Sequence, residues 1–251
     1  MKKVVVQGLF IAGIIGLIFN FSSCNSSSKS KNSEEVEFDQ EAYDNQLQGV
    51  FEYLPPNQGM SAMFDNHFIF VFGDSDATMV CQGGTYTTSG DKVEFTTQYA
   101  SNPELVGSII NWSPVFMDND SLKTILFDAD GNISSEFYNI RKVKVDEQTI
   151  NQMKEWEGVY RYPAPANAMG IVFGGYILYG GQMGSGVSGT AAKYEQNNDT
   201  VKVKRLFTLD PSKKGTEFRW INESMNGDTL NWATINNAGE VLSRGKSVYL
   251  K

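Results

Sequence analysis

The sequence predicts an all-β protein made of two tandem antiparallel up-and-down β-barrels. Three observations carry this: an internal repeat at near-constant offset, turn residues at short spacing, and alternation of apolar and polar residues between the turns. The repeat opens with Leu47-Gln48-Gly49-Val50-Phe51-Glu52-Tyr53, matched by Trp156-Glu157-Gly158-Val159-Tyr160-Arg161-Tyr162 at an offset of 109. From Phe68 onward the offset reads as 108. It pairs Ile69 with Ile177, Gly73 with Gly181, Tyr86 with Tyr194, Pro103 with Pro211, Trp112 with Trp220 and Gly131 with Gly239. A single register joining a Pro, a Trp and several Gly marks a duplication, and about a hundred residues per copy is an ordinary domain size. The copies are placed at residues 45–148 and 152–251.

Turn signals divide each copy into short segments. Copy one has Ser89-Gly90-Asp91, Asp118-Asn119-Asp120 and Asp130-Gly131-Asn132; copy two has Asn197-Asn198-Asp199, Asn226-Gly227-Asp228 and Asn237-Ala238-Gly239. Asn and Gly supply the positive φ of tight hairpins. Segments rich in Val, Ile, Thr, Phe and Tyr between them read as seven or eight strands per copy, with no helical period beyond the N-terminal segment. Alternation assigns the faces. Val93, Phe95, Thr97 and Tyr99 share one face, and Glu94, Thr96 and Gln98 the other. Phe218 and Trp220 oppose Glu217, Arg219 and Glu223, while Trp156, Gly158, Tyr160 and Tyr162 lie together. Strands apolar on one face and joined by hairpins describe a meander. A long meander closes most readily into a barrel, with a two-sheet sandwich as the alternative.

The N-terminus has a different design. Lys2 and Lys3 precede an apolar run from Val4 to Phe21, which ends at Ser22-Ser23-Cys24. A basic n-region, an apolar h-region and small residues before the cut are the parts of a secretory signal. A cysteine at that junction resembles the lipobox of bacterial lipoproteins, with Phe21 and Ser23 in place of its usual Leu and Gly or Ala. Residues 1–23 are therefore expected to be a cleaved signal and Cys24 to carry the lipid, palmitate included. The run is also long enough to be weighed as a membrane span, but the polar stretch directly after Cys24 favours the lipobox. Residues 24–44 read as the lipidated cysteine and a flexible tether with little to bury.

Charge and cysteine content exclude several classes. The chain carries 21 Lys and Arg against 29 Asp and Glu, and loss of Lys2 and Lys3 with the signal leaves 19 basic groups. An acidic surface repels phosphates, so no nucleic-acid partner is expected. Lipidation of Cys24 leaves Cys81 alone, so no intrachain disulfide can form.

Each copy opens with Leu or Trp followed by Gly-x-aromatic, and copy one continues with Gly83-Gly84-Thr85-Tyr86 ahead of Gly90-Asp91-Lys92-Val93-Glu94. On these residues the chain resembles the lipocalin-like (calycin-like) domain lipoproteins of Gram-negative bacteria, over roughly residues 45–251. Phe51 and Tyr160 stand where lipocalins have Trp, and no C-terminal helix follows either copy. The resemblance implies a small-molecule or interaction role at the outer membrane, on its periplasmic or surface side, and no enzymatic one.

Candidate sites follow. Gly184-Ser185-Gly186-Val187-Ser188-Gly189 matches Gly-x-Gly-x-x-Gly, but a dinucleotide site needs a helix there, and a strand pattern follows; the segment is expected to be a loop. Asp128-Ala129-Asp130-Gly131-Asn132 misses calcium-loop spacing and reads as a turn. His67, the only histidine, is expected at a strand end, and Cys81 as a small buried apolar residue. No metal, cofactor or catalytic constellation is expected. Arg205 is the sharpest candidate: alternation sets it with Val201, Val203 and Phe207 on the apolar face. A guanidinium inside a barrel is costly unless paired; it can meet a ligand carboxylate bidentately, pair with an internal acid, or snorkel to water. The expected ligand-binding set is Arg205, Trp220, Phe218 and Phe207 in copy two, with Trp112 and Phe95 in copy one. The leading expectation is a membrane-anchored protein that binds a small apolar or amphipathic ligand. The alternative is a structural or interaction subunit of a cell-envelope complex, with packed barrels, no ligand and an envelope protein as partner.

Overall fold

The computed structural model describes residues 38–128, 130–183 and 186–250. The signal segment, Cys24 and the tether up to residue 37 lie outside them. The described residues form two closed barrels of eight antiparallel strands. The first comprises β1 (Gly49–Tyr53), β2 (Gln58–Phe64), β3 (His67–Gly73), β4 (Val80–Ser89), β5 (Lys92–Ala100), β6 (Ile109–Phe116), β7 (Ser121–Phe127) and β8 (Ile133–Lys144). The second comprises β9 (Gly158–Tyr162), β10 (Asn167–Phe173), β11 (Tyr176–Met183), β12 (Gly186–Asn197), β13 (Thr200–Thr208), β14 (Glu217–Asn226), β15 (Thr229–Ile235) and β16 (Val241–Leu250). Each strand pairs with its sequence neighbours, and first meets last to close the ring. Closure removes every free edge, which settles barrel against sandwich.

Tight hairpins set the register. Asp65 and Asn66, with φ of 48° and 58°, join β2 to β3, and Gly174 and Gly175, at 56° and 84°, join β10 to β11. Two consecutive positive φ values define the turn whose twist suits paired strands. Because both hairpins have two-residue loops, Phe64 corresponds to Phe173 and His67 to Tyr176. The 109 offset therefore persists through β3, and 108 begins only at β4. Ile69 matches Leu178 rather than Ile177, and Gly73 does not match Gly181. The extra residue lies in the connection between β3 and β4.

Two short helices form where the sequence predicted none: α1 (Gln40–Leu47) and α2 (Glu147–Asn151). Both are too polar to show an apolar period. Their starts are set instead by side-chain caps, Asp39 accepting from the Ala42 N–H at 2.9 Å and Asp146 from the Thr149 N–H at 2.8 Å. Residues 40–44, assigned to the tether, thus belong to the folded body. Helix α1 covers one end of barrel one. Leu47 is buried with Met63 and Phe68, and the Tyr43 hydroxyl donates to the Asp91 carbonyl at the β4–β5 turn. Arg141 pins this end: its Nη1 and Nη2 donate to the carbonyls of Gln48 and Gln46 at 2.8 and 2.6 Å, and its guanidinium lies 4.8 Å from the Phe51 ring centroid. In barrel two Trp156 packs 5.1 Å from Tyr194, centroid to centroid, and Glu157 accepts from the Tyr194 hydroxyl and the Lys154 N–H. Each barrel is therefore floored by the segment that leads into its first strand.

A third core lies between the barrels. Val50, Met60, Ala62, Ile69 and Val71 pack against Val159, Met169, Ile171, Phe173 and Leu178. Strand β3 is consequently buried on both faces, with Phe68 and Phe70 turned into barrel one and Ile69 and Val71 toward its neighbour. Two equivalent pairs meet each other. Phe64 stacks on Phe173 at 5.0 Å, and Cys81 packs directly on Gly189 and Gly180. Self-contact of equivalent residues is the mark of a two-fold relation. Its axis runs from the floor ends, at Phe64, to the other ends, near Cys81. Both open ends thus face the same way. There Lys214 of the β13–β14 connection meets Asp76 of the β3–β4 connection at 2.6 Å.

Candidate ligand-binding site

Barrel two contains a cavity of about 400 Å³, and barrel one a cavity of about 190 Å³. Their aromatic content explains the difference. Barrel one turns Phe68, Phe70, Phe95 and Phe137 inward, and these rings crowd one another: Phe68 and Phe95 lie 4.8 Å apart, Phe70 and Trp112 5.3 Å, Phe95 and Trp112 4.7 Å. At the matching positions barrel two has Ile177, Tyr179, Val203 and Gly245. Trp232, opposite Gly245 and matching Thr124, works the other way, as do Phe218 at the place of Ile110 and Trp156 at that of Leu47. An eight-stranded barrel is just wide enough to be filled by side chains or to hold one small ligand. Barrel one is the more fully filled of the two.

The larger cavity runs from Trp156 at the floor to Leu242 and Arg205 at the open end. Phe218, Trp220 and Asn222 alternate along β14 and present successive groups from mouth to floor. Tyr160, Tyr162, Tyr179 and Trp232 line the remaining wall. Burial pushes the phenols of Tyr160 and Tyr162 well above their ordinary pKa, so both stay neutral.

The structure brings Arg205, Phe218 and Trp220 together, as the sequence predicted. The Arg205 guanidinium stacks 4.3 Å from the Phe218 ring centroid, and Nη1 donates to Thr216 Oγ1 at 2.9 Å. Among the described residues no carboxylate forms an ion pair with it. In barrel one the same two places hold Thr97 and Ser108, whose hydroxyls lie 3.3 Å apart. The arginine is thus an addition peculiar to barrel two.

Phe207 is a correction: it lies outside the cavity, packed against the core between the barrels. A bulge at Leu206 causes this, because Ala192 pairs with Arg205 and Ala191 with Phe207. One extra residue flips everything after it to the opposite face. The bulge recurs at Gln98, and Tyr99 joins the same inter-barrel core rather than the face of Val93 and Phe95. Trp112 and Phe95 do line the smaller cavity. Trp112 and Trp220 hold equivalent places, opposite Val93 and Val201, but Trp220 is half-buried where Trp112 is buried. Asn222 and Leu242 went unrecognised. The alternation that selected Phe218 and Trp220 extends to Asn222 and could have found it, whereas Leu242 reads as an ordinary strand residue.

The other candidates are quickly placed. Gly186–Gly189 belong to β12, so the glycine-rich segment is mostly strand, and residues 184 and 185 lie outside the described ones. Asp128 Oδ1 accepts from the N–H groups of Asp130 and Asn132, as in a turn. His67 opens β3 with Nδ1 2.6 Å from the Asp65 carbonyl. Cys81 is buried between the barrels, and burial pushes its thiol up to about 12.

Trp156 Nε1, Trp220 Nε1 and Asn222 Oδ1 of barrel two are buried without a hydrogen-bond partner, and so are Trp112 Nε1, Asn139 Oδ1 and Arg141 Nε of barrel one. In sequence the chain matches no family model and no curated protein.

Proposed function

We propose that the chain is an outer-membrane lipoprotein of the lipocalin-like kind, lipidated at Cys24, whose second barrel binds a small amphipathic acid. The observation that carries this is an unpaired arginine at the mouth of a mostly aromatic cavity of about 400 Å³. That volume falls in the range typical of small-molecule sites. Arg205 is held against Phe218 with most of its donors uncommitted, which suits a carboxylate arriving from the open end. The apolar part of the ligand would lie along Phe218, Trp220 and Trp232.

A second reading, an interaction subunit of an envelope complex, draws on barrel one. Its interior is nearly filled, and Val106, Ile109 and Ile133 stand exposed around its open end. In this reading barrel one meets a protein partner and no ligand is bound.

Calorimetry with dodecanoate and dodecanol tests the main proposal. Wild type should prefer the acid, and Arg205→Ala should reduce acid affinity about tenfold, the low end for a charge-assisted bond at a half-exposed group. Dodecanol affinity should be unchanged. Equal losses for both ligands, or no saturable binding by wild type, would remove the proposal.

A further inference from the structure

We propose a second binding site, in barrel one, for a neutral single-ring aromatic compound that carries one hydrogen-bonding substituent. It stands on other residues than the acid site of barrel two. The observation that carries it is Gln82. This residue is only 7% exposed and lines the cavity of about 190 Å³. Among the described residues its side-chain amide has no hydrogen-bond partner. The Trp112 indole N–H is closed off, whereas the Gln82 amide opens onto the cavity. An unpaired amide in a buried place is costly, and a ligand that pairs with it recovers part of that cost.

Barrel two shows how the same place is satisfied from within. Gln82 lies between Phe70 and Ala100 on the neighbouring strands, and the equivalent Thr190 lies between Tyr179 and Thr208. The hydroxyls of Thr190 and Thr208 are 3.3 Å apart and serve each other. Barrel one has a longer polar side chain and, beside it, a methyl group that offers no partner.

The walls set the class of ligand. Tyr53, Phe72 and Phe137 form an aromatic layer toward the open end, with centroids 5.5 to 6.0 Å apart. Phe70, Phe95 and Trp112 form a deeper layer, with centroids 4.7 to 5.3 Å apart. A ring held between two such layers gains edge-on or offset contacts. A dry cavity of about 150 Å³ holds one benzene. The space here therefore takes one ring with a small substituent and excludes a second ring. No lining residue carries a charge, and burial pushes the Tyr53 phenol well above its ordinary pKa, so it too stays neutral. An ionised ligand would lose its hydration with nothing to pair it. The amide offers a donor and an acceptor, so it serves a neutral substituent of either kind.

The test is calorimetry on the purified protein with phenol and toluene, which are close in size. Wild type should bind both. Gln82→Met keeps the length of the side chain and removes the amide. It should weaken phenol about fivefold, the effect of one neutral hydrogen bond, and bind toluene at least as tightly as wild type. A crystal of wild type soaked with 4-bromophenol gives a second readout should the variant fail to fold. Its bromine should lie inside barrel one, with the hydroxyl against Gln82. No phenol binding by wild type, phenol affinity unchanged in Gln82→Met, or ordered water alone at Gln82 in the soaked crystal would overturn this inference. None of these outcomes touches the acid proposed for barrel two, which Arg205→Ala tests separately.

Discussion

Substituting Gly180 by Ala should destabilise the protein by wedging the two barrels apart. Gly180 lies on β11 where the barrels touch. A Cβ built there falls on Cys81 Sγ and sits 3.1 Å from the Ser188 carbonyl oxygen. The sulfur is buried in the packed core between the barrels, so it can move only by displacing its neighbours. Overpacking of this kind costs about 1–3 kcal/mol. The ordinary gain of Gly→Ala, about 0.4–1 kcal/mol through the unfolded chain, offsets a part. A net loss near 1.5 kcal/mol should lower Tm by about 3–6 °C for a body of this size. Cys81→Ala alone should cost about 1 kcal/mol, since it removes a buried group of methyl size. In the double variant the new methyl occupies the space the sulfur left, so it should be more stable than Gly180→Ala. Differential scanning calorimetry of the four proteins measures the coupling. Additive losses, or no loss in Gly180→Ala, would refute the direct packing of Cys81 on Gly180.

Three further outcomes are expected. Ile177→Phe with Val203→Phe rebuilds in barrel two the Phe68–Phe95 pair of barrel one, and should weaken biphenyl-4-carboxylate at least tenfold by calorimetry. Glu157 is buried, and burial raises its carboxyl above the ordinary 4.5, so the folded state keeps a proton that the unfolded chain has lost. Stability should therefore fall as pH rises above that value. Glu157→Gln, which installs the residue found at the matching Gln48, should flatten that slope in urea titrations across pH. Cys24→Ala should abolish incorporation of radiolabelled palmitate, and equal labelling of wild type would exclude lipidation at this residue.

The barrel architecture was legible because its determinants are local. Turn residues, alternation and the repeat at Trp112 and Trp220 each point to hairpins. The inner position of Arg205 was legible too, since it precedes the bulge. Phe207 was misplaced because alternation counts residues and cannot see the single insertion at Leu206 that reverses its face. The inter-barrel core left a trace that alternation ignored. Phe68-Ile69-Phe70-Val71-Phe72 and Ala168-Met169-Gly170-Ile171-Val172-Phe173 are unbroken apolar runs, as expected of strands buried on both faces. The helices were hidden because capping by Asp39 and Asp146, not apolar periodicity, starts them. The unequal cavities were not legible from any one residue. They emerge only when Phe68, Phe95 and Phe137 are set against Ile177, Val203 and Gly245 in corrected register.

The account rests most on barrel two being the one that takes the acid. Its most direct test is the crystal structure of the protein soaked with 4′-bromobiphenyl-4-carboxylate, with the bromine located by anomalous scattering. The account predicts one strong peak inside barrel two, near Trp156 and Asn222, with the carboxylate against Arg205 and none inside barrel one. A peak in barrel one, a reversed ligand with its bromine at Arg205, or an empty second barrel at saturating concentration would contradict it.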